Sequence, residues 1–457
     1  MMTDRHAVIW TRAGRSPIKM ASVVATAREC RITYTKDFID SGLPGLSLLA
    51  DPTVVQQGTM VWASTESRPL PPRLMAMIPP NHAGNLQRRI YAEILARRAT
   101  PPAPGMETEW EMLILSGRNG IGHLDVFSND VEASAWYTQV ADQTVAVLKK
   151  GRSKIWAILK DEVGQHAGNH GGLADLADFF GPTPTAGGMI TKVLIAIPDR
   201  PAWSGEFLHS GSRTKRTPFV DVIVKIEEPQ YDGLLDLESL CLNVHRAAGF
   251  DVPRSWRQDI DGLRSLAIER FDRSKEGLPI PFESLMTVFA SGSRRIQNSQ
   301  DVMWIEVGKM VAKIGRVCDL DIRKAQETLF RRLAFALMTG NGDMHLDNLG
   351  FLGGKREVFL SPVYDPAPMR AWARHNMRMA VPMDFEQGRP IYRQIADTAT
   401  SFGLSASQGR DILLNAAEAT KDFCEQVMAM GNVPEARRQA LVDVVTGERK
   451  LLCKAFP

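Results

Sequence analysis

The period of the apolar positions changes partway along this chain. Up to about residue 271 the strongest runs read as strands. "HAVIWTR" and "GIGHLDVF" stand near the two ends of the first 127 residues. "KVLIAIP" (Lys192–Pro198), "FVDVIVKIEEP" (Phe219–Pro229) and "SLAIERF" (Ser265–Phe271) follow. Each is short, apolar and bounded by turn formers or charge, as strands are. Helical spacing interrupts them. Ile90, Ile94 and Leu95 share one face of "NLQRRIYAEILARRA", which "TPPAPG" then breaks. Glu132–Leu148 is again helical in pattern. "LDLESLCLNVHRAAG" repeats Leu237, Leu240, Cys241 and Val244, with Gly249 as its stop. "GNHGGLADLADFFGPTPTAGG" is rich in Gly, Pro and Thr and is expected to be mainly loop around a short helix. Beyond about Arg273 helices dominate. Leu329, Leu333 and Leu337 lie four apart in "RKAQETLFRRLAFALMTGN", and Ala406–Leu452 carries two or more further helices. Strands first and helices second predict an α+β fold in two lobes.

Composition narrows the class without naming it. The chain has 457 residues, 44% of them hydrophobic, enough for a sizeable core. Its 55 basic and 52 acidic side chains leave a net charge of +3, which lacks the excess of a strongly electrostatic nucleic-acid binder. Cys30, Cys241, Cys318, Cys424 and Cys453 are odd in number and in no CxxC spacing. Reduced thiols and a cytoplasmic location are expected. "MMTDRHAVIWTRAGR" lacks the apolar core of a signal peptide, and no run approaches the roughly 18 apolar residues of a membrane span.

The candidate chemistry gathers in "TGNGDMHLDNLGFL" (Thr339–Leu352). Asn348 follows Asp343 by five residues. Asp365 follows later, in "SPVYDPAP". The intervening "LGFLGGKREVFLSP" reads as a hairpin with Gly353-Gly354 at its turn, which would bring all three residues together. Phosphoryl transfer needs such a set. One carboxylate accepts the proton of the attacking hydroxyl, and an amide oxygen and a second carboxylate hold Mg²⁺. A polar helix-to-strand turn explains Asp and Asn at this spacing equally well. Other features favour chemistry. Lys225 ends the apolar run "VDVIVK", and Glu238 lies on the following helix. Such a pair orients ATP phosphates in kinases; the alternatives are a snorkelling lysine and a solvated helix face. "PTAGGMITK" offers two glycines, either as an anion nest or as a plain loop. His345 lacks companion metal ligands and suits a loop-bonding role better.

Taken together, these stretches resemble the HipA family of bacterial serine/threonine kinases, the toxins of toxin–antitoxin pairs. "SGRNGIGHLDVF" is similar to the end of that family's N-terminal subdomain and "LAIERFDR" to its hinge. "PTAGGMITKVLIAI" is similar to its Gly-rich loop, "VIVKIEEP" to its ATP-lysine strand, and "LESLCLNVHRAAGFDVP" to the helix that follows. "TGNGDMHLDNLGFL" and "SPVYDPAP" fit its catalytic and metal loops. The resemblance implies a bilobal protein-kinase-like fold. Residues 1–130 would form an N-terminal subdomain, 131–273 a strand-rich lobe and 274–457 a helical lobe. It implies ATP and Mg²⁺ as cofactors. Gly187, Gly188, Lys192 and Lys225 would bind nucleotide phosphates, with Glu238 as partner to Lys225. Glu269 and Phe271 would face adenine. Asp343 would be the base, Asn348 and Asp365 the Mg²⁺ ligands, with His345 and Tyr364 supporting the nucleotide site. Thr185 stands where family members carry a regulatory autophosphorylated serine. The family usually has Lys directly before the loop Asn, whereas this chain has Asp347.

The implied partners are a small helix-turn-helix antitoxin, operator DNA through that antitoxin, and an aminoacyl-tRNA synthetase such as glutamyl-tRNA synthetase as substrate. No membrane is implied. Two alternatives stand beside this reading: an impaired member acting as corepressor, and a small-molecule kinase. The lysine reading has a direct check. Lys225→Ala should weaken ATP binding while the fold stays intact; unchanged ATP affinity by calorimetry would remove Lys225 from the site.

Overall fold

The computed structural model describes residues 4–48, 58–82, 84–142, 152–164, 170–180, 190–211, 218–354, 356–383 and 388–452. Thr185, Gly187 and Gly188 lie outside the described residues. The chain forms two compact units. The first comprises 1–229 and 254–283, the second 230–253 and 284–457.

The first unit holds two antiparallel sheets of five strands each. One has the order β4-β3-β2-β1-β5. Its strands are β1 (Arg5–Thr11), β2 (Ile18–Ala25), β3 (Glu29–Tyr34), β4 (Thr59–Ala63) and β5 (Asp125–Phe127). The two strands expected at the ends of the first region thus pair as neighbours, Ile9 opposite Val126. Of "GIGHLDVF" only the last three residues are strand.

The second sheet has the order β7-β6-β8-β10-β9. Its strands are β6 (Lys192–Pro198), β7 (Leu208–His209), β8 (Phe219–Ile226), β9 (Ser255–Ile260) and β10 (Leu263–Glu269). Val222, Val224 and Ile226 alternate along β8 and turn one face into a core with Trp156, Leu159 and Leu176. Lys225 lies on the opposite face.

Two helices of this unit have no counterpart in the expectation. Arg152–Gly164 buries Ile155, Trp156, Leu159 and Val163 against the second sheet. Met106–Ser116 is also helical, with Trp110, Met112, Leu113 and Ile114 buried. The short helix expected in the Gly-rich stretch spans His170–Phe180, and its Leu173, Leu176 and Ala177 join the same core; the expected loop on either side lies outside the described residues. Burial of these apolar faces outweighs the helix penalty of Gly171 and Gly172.

The second unit is mainly helical. Leu234–Ala247 and Ile322–Thr339 follow the expected spacing. The C-terminal region resolves into Ala406–Ala419, Phe423–Met428 and Glu435–Leu452. The expected hairpin is present as Gly350–Gly354 and Glu357–Leu360, but its glycines do not form the turn. Gly353 pairs with Val358 and Gly354 with Glu357. Gly353 has φ +95°, and a Cβ there would come 2.0 Å from the Glu357 carbonyl oxygen. Glycine is required by that close approach rather than by reversal of the chain. Among the described residues, no helix is long and apolar enough to cross a membrane.

A buried charge cluster fixes the end of β10. Arg270 donates to Asp272 (Nε–Oδ1 3.0 Å, Nη2–Oδ2 2.8 Å), and Arg273 Nη1 donates to the same carboxylate at 2.9 Å. The Gly122 N–H adds a bond of 2.7 Å. Both arginines also donate to the Gly120 carbonyl, Arg270 at 2.6 Å and Arg273 at 2.8 Å. Burial alone would raise the Asp272 carboxyl, but the two guanidiniums outweigh it and hold it at about 2. An unfolded aspartate titrates at about 3.9, so the stabilisation is complete above about pH 4 and lost as pH falls toward about 2. Removing one partner of such a buried cluster costs about 3–5 kcal/mol. Asp272→Asn should therefore lower urea stability by that order at pH 7. Its deficit against wild type should shrink between pH 4 and pH 2, and a constant deficit would contradict the charge assignment.

Candidate functional site

The second unit assembles the Asp343–Asp365 region from the end of one helix. Ile322–Thr339 stops at Gly340, whose left-handed φ of +70° reverses the chain. Asn341 Oδ1 then accepts the Asp343 N–H at 3.0 Å. That Asx turn sets the backbone of Asp343. The Asp343 carbonyl accepts two bonds, from the His345 N–H at 2.7 Å and from Asn348 Nδ2 at 2.9 Å. With its nitrogen so engaged, the Asn348 amide has Oδ1 left to accept or coordinate.

His345 has the loop-bonding role expected of it. Its Nδ1 accepts the Asp347 N–H at 3.2 Å and caps the short 3₁₀ turn Leu346–Asn348. Ser299 Oγ accepts the Leu346 N–H at 2.8 Å. The loop is thus held at four successive points before the hairpin begins.

The hairpin closes at its base, where the Ser361 N–H donates to the Gly350 carbonyl at 2.9 Å. The returning chain is tied to the outgoing one by Tyr364, whose hydroxyl donates to the Asp347 carbonyl at 2.6 Å. Burial, and then the nearby Asp347 carboxylate, raise the Tyr364 phenol well above its ordinary value, so it remains a donor. Asp365 follows with φ +54°, a left-handed conformation that costs an aspartate energy and recurs at functional sites.

Asn348 and Asp365 line one small cavity of about 20 Å³, with Asn341, Tyr364, Arg332 and His245. That volume suits a single ion or water. Arg332 is buried and donates from Nη2 to the Ser361 carbonyl. Burial lowers it to about 10. Burial likewise lowers His245 to about 4, so it is neutral and donates Nδ1–H to the Cys241 carbonyl at 2.7 Å. Asn348 Oδ1 and the Asp365 carboxylate are hard oxygen donors. They fit a magnesium ion that takes its remaining ligands from phosphate and water. Among the described residues, no group of three or more His, Cys, Asp or Glu could hold a metal ion.

Asp347 does not line this cavity. Its side chain is 53% exposed and accepts from Ser284 Oγ at 3.1 Å. Glu238 is buried on the helix Leu234–Ala247 of the same unit.

In the first unit two lysines share one strand face. Lys192 and Lys225 stand directly opposite each other in the β6–β8 register, so both point to the same side of the sheet. Lys225 is buried and Lys192 half-buried. At the end of β10, the Glu269 carboxylate is held by Arg254 at 2.7 and 3.0 Å. Phe271 packs edge-on against Phe282 with ring centroids 5.5 Å apart.

From sequence, Asn341 is one of the two asparagines in the polar cluster, with no role assigned to it, and Arg332, His245, Ser284 and Ser299 do not stand out. Asn341 had a local signal, an asparagine two residues before the candidate base. The others come from distant segments and carry no spacing that points to the loop.

Comparison with known proteins bears on the whole chain. A family model described as a HipA-like C-terminal domain matches residues 185–427, more than half of the sequence. A protein of Sinorhizobium fredii named "Putative kinase Y4dM" is 32% identical over 157 residues, 31% of this chain and 36% of that protein. A protein of Haemophilus influenzae named "Putative kinase" is 23% identical over 239 residues, 47% of this chain and 68% of that protein. The chain therefore spans about a third of the first relative's length. Among solved structures, the HipA of Shewanella oneidensis, determined with HipB and its operator DNA, aligns over 95% of both chains with a TM-score of 0.61 at 16% identity. That likeness bears out the α+β, kinase-like fold expected from the sequence. On the match of its C-terminal domain, this chain belongs to the HipA family.

Proposed function

We propose that the chain is an ATP- and Mg²⁺-dependent serine/threonine protein kinase that acts in the cytoplasm as the toxin of a toxin–antitoxin pair. The observation that carries the proposal is the place of Asn348, bonded to the Asp343 backbone carbonyl on one side and sharing a cavity with Asp365 on the other.

In this reading the Asp343 carboxylate orients the acceptor hydroxyl and takes its proton. Asn348 Oδ1 and Asp365 hold Mg²⁺, which neutralises phosphate charge when bound. Lys225 and Lys192 bind nucleotide phosphates. Glu238 acts as partner to Lys225, and Glu269 and Phe271 lie near adenine. His345 and Tyr364 keep the two loops in register, and Thr185 is the regulatory phosphoacceptor. The partner is a small helix-turn-helix antitoxin, by analogy with the HipB and operator DNA of the Shewanella complex. The acceptor is an aminoacyl-tRNA synthetase, glutamyl-tRNA synthetase first.

The outward position of Asp347 favours an active enzyme over an impaired corepressor. An anion at that place faces solvent and Ser284 rather than the cavity.

Three variants test the assignment in one phosphoryl-transfer assay with Mg²⁺ titrated. Asp343→Asn should lose about 10²–10⁴ in rate and still bind ATP. Asp365→Asn should lose transfer and Mg²⁺-dependent nucleotide affinity together. Asp347→Lys should keep or raise activity. Full activity in Asp343→Asn would refute this loop as the catalytic one. Activity in Asp347→Lys alone, with an inert wild type, would support the impaired reading.

A further inference from the structure

The segment after Asp365, as far as Met383, contains no hydroxyl side chain that a serine/threonine kinase could phosphorylate. "PAPMRAWARHNMRMAVPM" (Pro366–Met383) has no Ser, Thr or Tyr and no carboxylate, but it has three arginines. In kinases switched on by phosphorylation, a phosphate on the loop after the metal aspartate pairs with arginines of the body and orders the loop. Here the charges are exchanged. Arg370 Nη1 and Arg378 Nε both donate to Glu448 Oε1, each at 2.8 Å. Glu448 belongs to the C-terminal helix Glu435–Leu452 and is only 3% exposed. A buried carboxylate receiving two guanidiniums is a strong, charge-assisted anchor.

The anchored segment bears directly on the catalytic loop. The Arg370 N–H donates to the Gly340 carbonyl at 3.3 Å. A Cβ on Gly342 would come 2.5 Å from the Met377 carbonyl oxygen and 2.9 Å from Arg370 Cγ. The residue before Asp343 is therefore glycine because this segment lies against it. Further contacts agree with one fixed course. Trp372 is buried and packs edge-on against Tyr231, with centroids 6.0 Å apart. The Tyr231 hydroxyl and His375 Nε2 are 2.9 Å apart, within hydrogen-bonding distance. At the far end, the Pro382 carbonyl accepts the Trp304 N–H at 2.9 Å.

We propose that Glu448 is a positioning residue that orders the segment after the metal aspartate permanently, doing with a fixed carboxylate what a loop phosphate does elsewhere. The catalytic loop is then held in one arrangement without prior modification of that segment. The purpose of this latch rests on the kinase reading; its existence does not.

Hydrogen exchange on the full-length chain tests it. Glu448→Gln should raise exchange in peptides covering 366–383 by about tenfold or more, while the helix Ile322–Thr339 stays protected. Glu448→Asp should restore part of the protection. Asp343→Asn, which cannot phosphorylate itself on this reading, should keep wild-type protection across the segment. If Glu448→Gln fails to fold, Arg378→Gln, altering the more exposed of the two arginines, takes its place with the same expectation. Unchanged exchange in the segment would overturn the proposal. So would an equal rise throughout the unit, or loss of protection in Asp343→Asn. Transfer of labelled phosphate from ATP to lysate proteins is measured on the same samples. Its absence from wild type would count against the kinase reading, and the exchange data would still decide the latch.

Discussion

The hydrogen bond from the Asn348 amide to the Asp343 carbonyl is the constraint on which the site depends. It spans five residues and forces the loop into a tight curve. That curve becomes possible because Gly340 ends the helix in a left-handed conformation and Asn341 caps the next turn. Once it is made, the Asn348 oxygen has a fixed direction. Tyr364 then ties the returning chain to the same curve, and Asp365 arrives beside Asn348. Each of these bonds holds a residue whose own packing does not fix it at the site, as binding constellations require of their supporting contacts.

Much of this was legible because its chemistry is local in sequence. The candidate base, amide and carboxylate stand on one helix-to-strand turn and one hairpin, so the apolar runs on either side were enough to place the hairpin, though not its turn. The stretches "SGRNGIG" and "ERFDR" carry a family likeness in sequence but no physical reason for it. The structure supplies one, since the arginines of the second donate to the backbone carbonyls of the first. Lys225 was marked by being a charge at the end of an apolar run. Its cross-strand neighbour Lys192 is a partner that only register reveals.

What stayed hidden has physical causes. Met106–Ser116 crowds most of its buried residues into its second half, where Met112, Leu113 and Ile114 are consecutive, so its apolar residues show no helical period. Arg152–Gly164 sits between stretches whose glycines and prolines drew attention away from Ile155, Trp156, Leu159 and Val163. The glycines of the hairpin suggested a turn, yet Gly353 is set by the nearness of a carbonyl across the ladder. The Glu448 anchor joins residues 70 and 78 positions apart, and no local pattern announces such a pair. Asp347 invited a reading as a damaged catalytic residue; its exposure and its bond to Ser284 place it on the outside of the turn.

The central claim is that Asn348 and Asp365 form one metal position fixed by the Asp343 loop. The most direct measurement is a crystal structure of the chain grown with Mn²⁺ and a non-hydrolysable ATP analogue, with the metal located by its anomalous scattering. The account predicts a manganese peak at bonding distance from both Asn348 Oδ1 and the Asp365 carboxylate. A peak bound elsewhere, or nucleotide bound with no metal on these two residues, would contradict it.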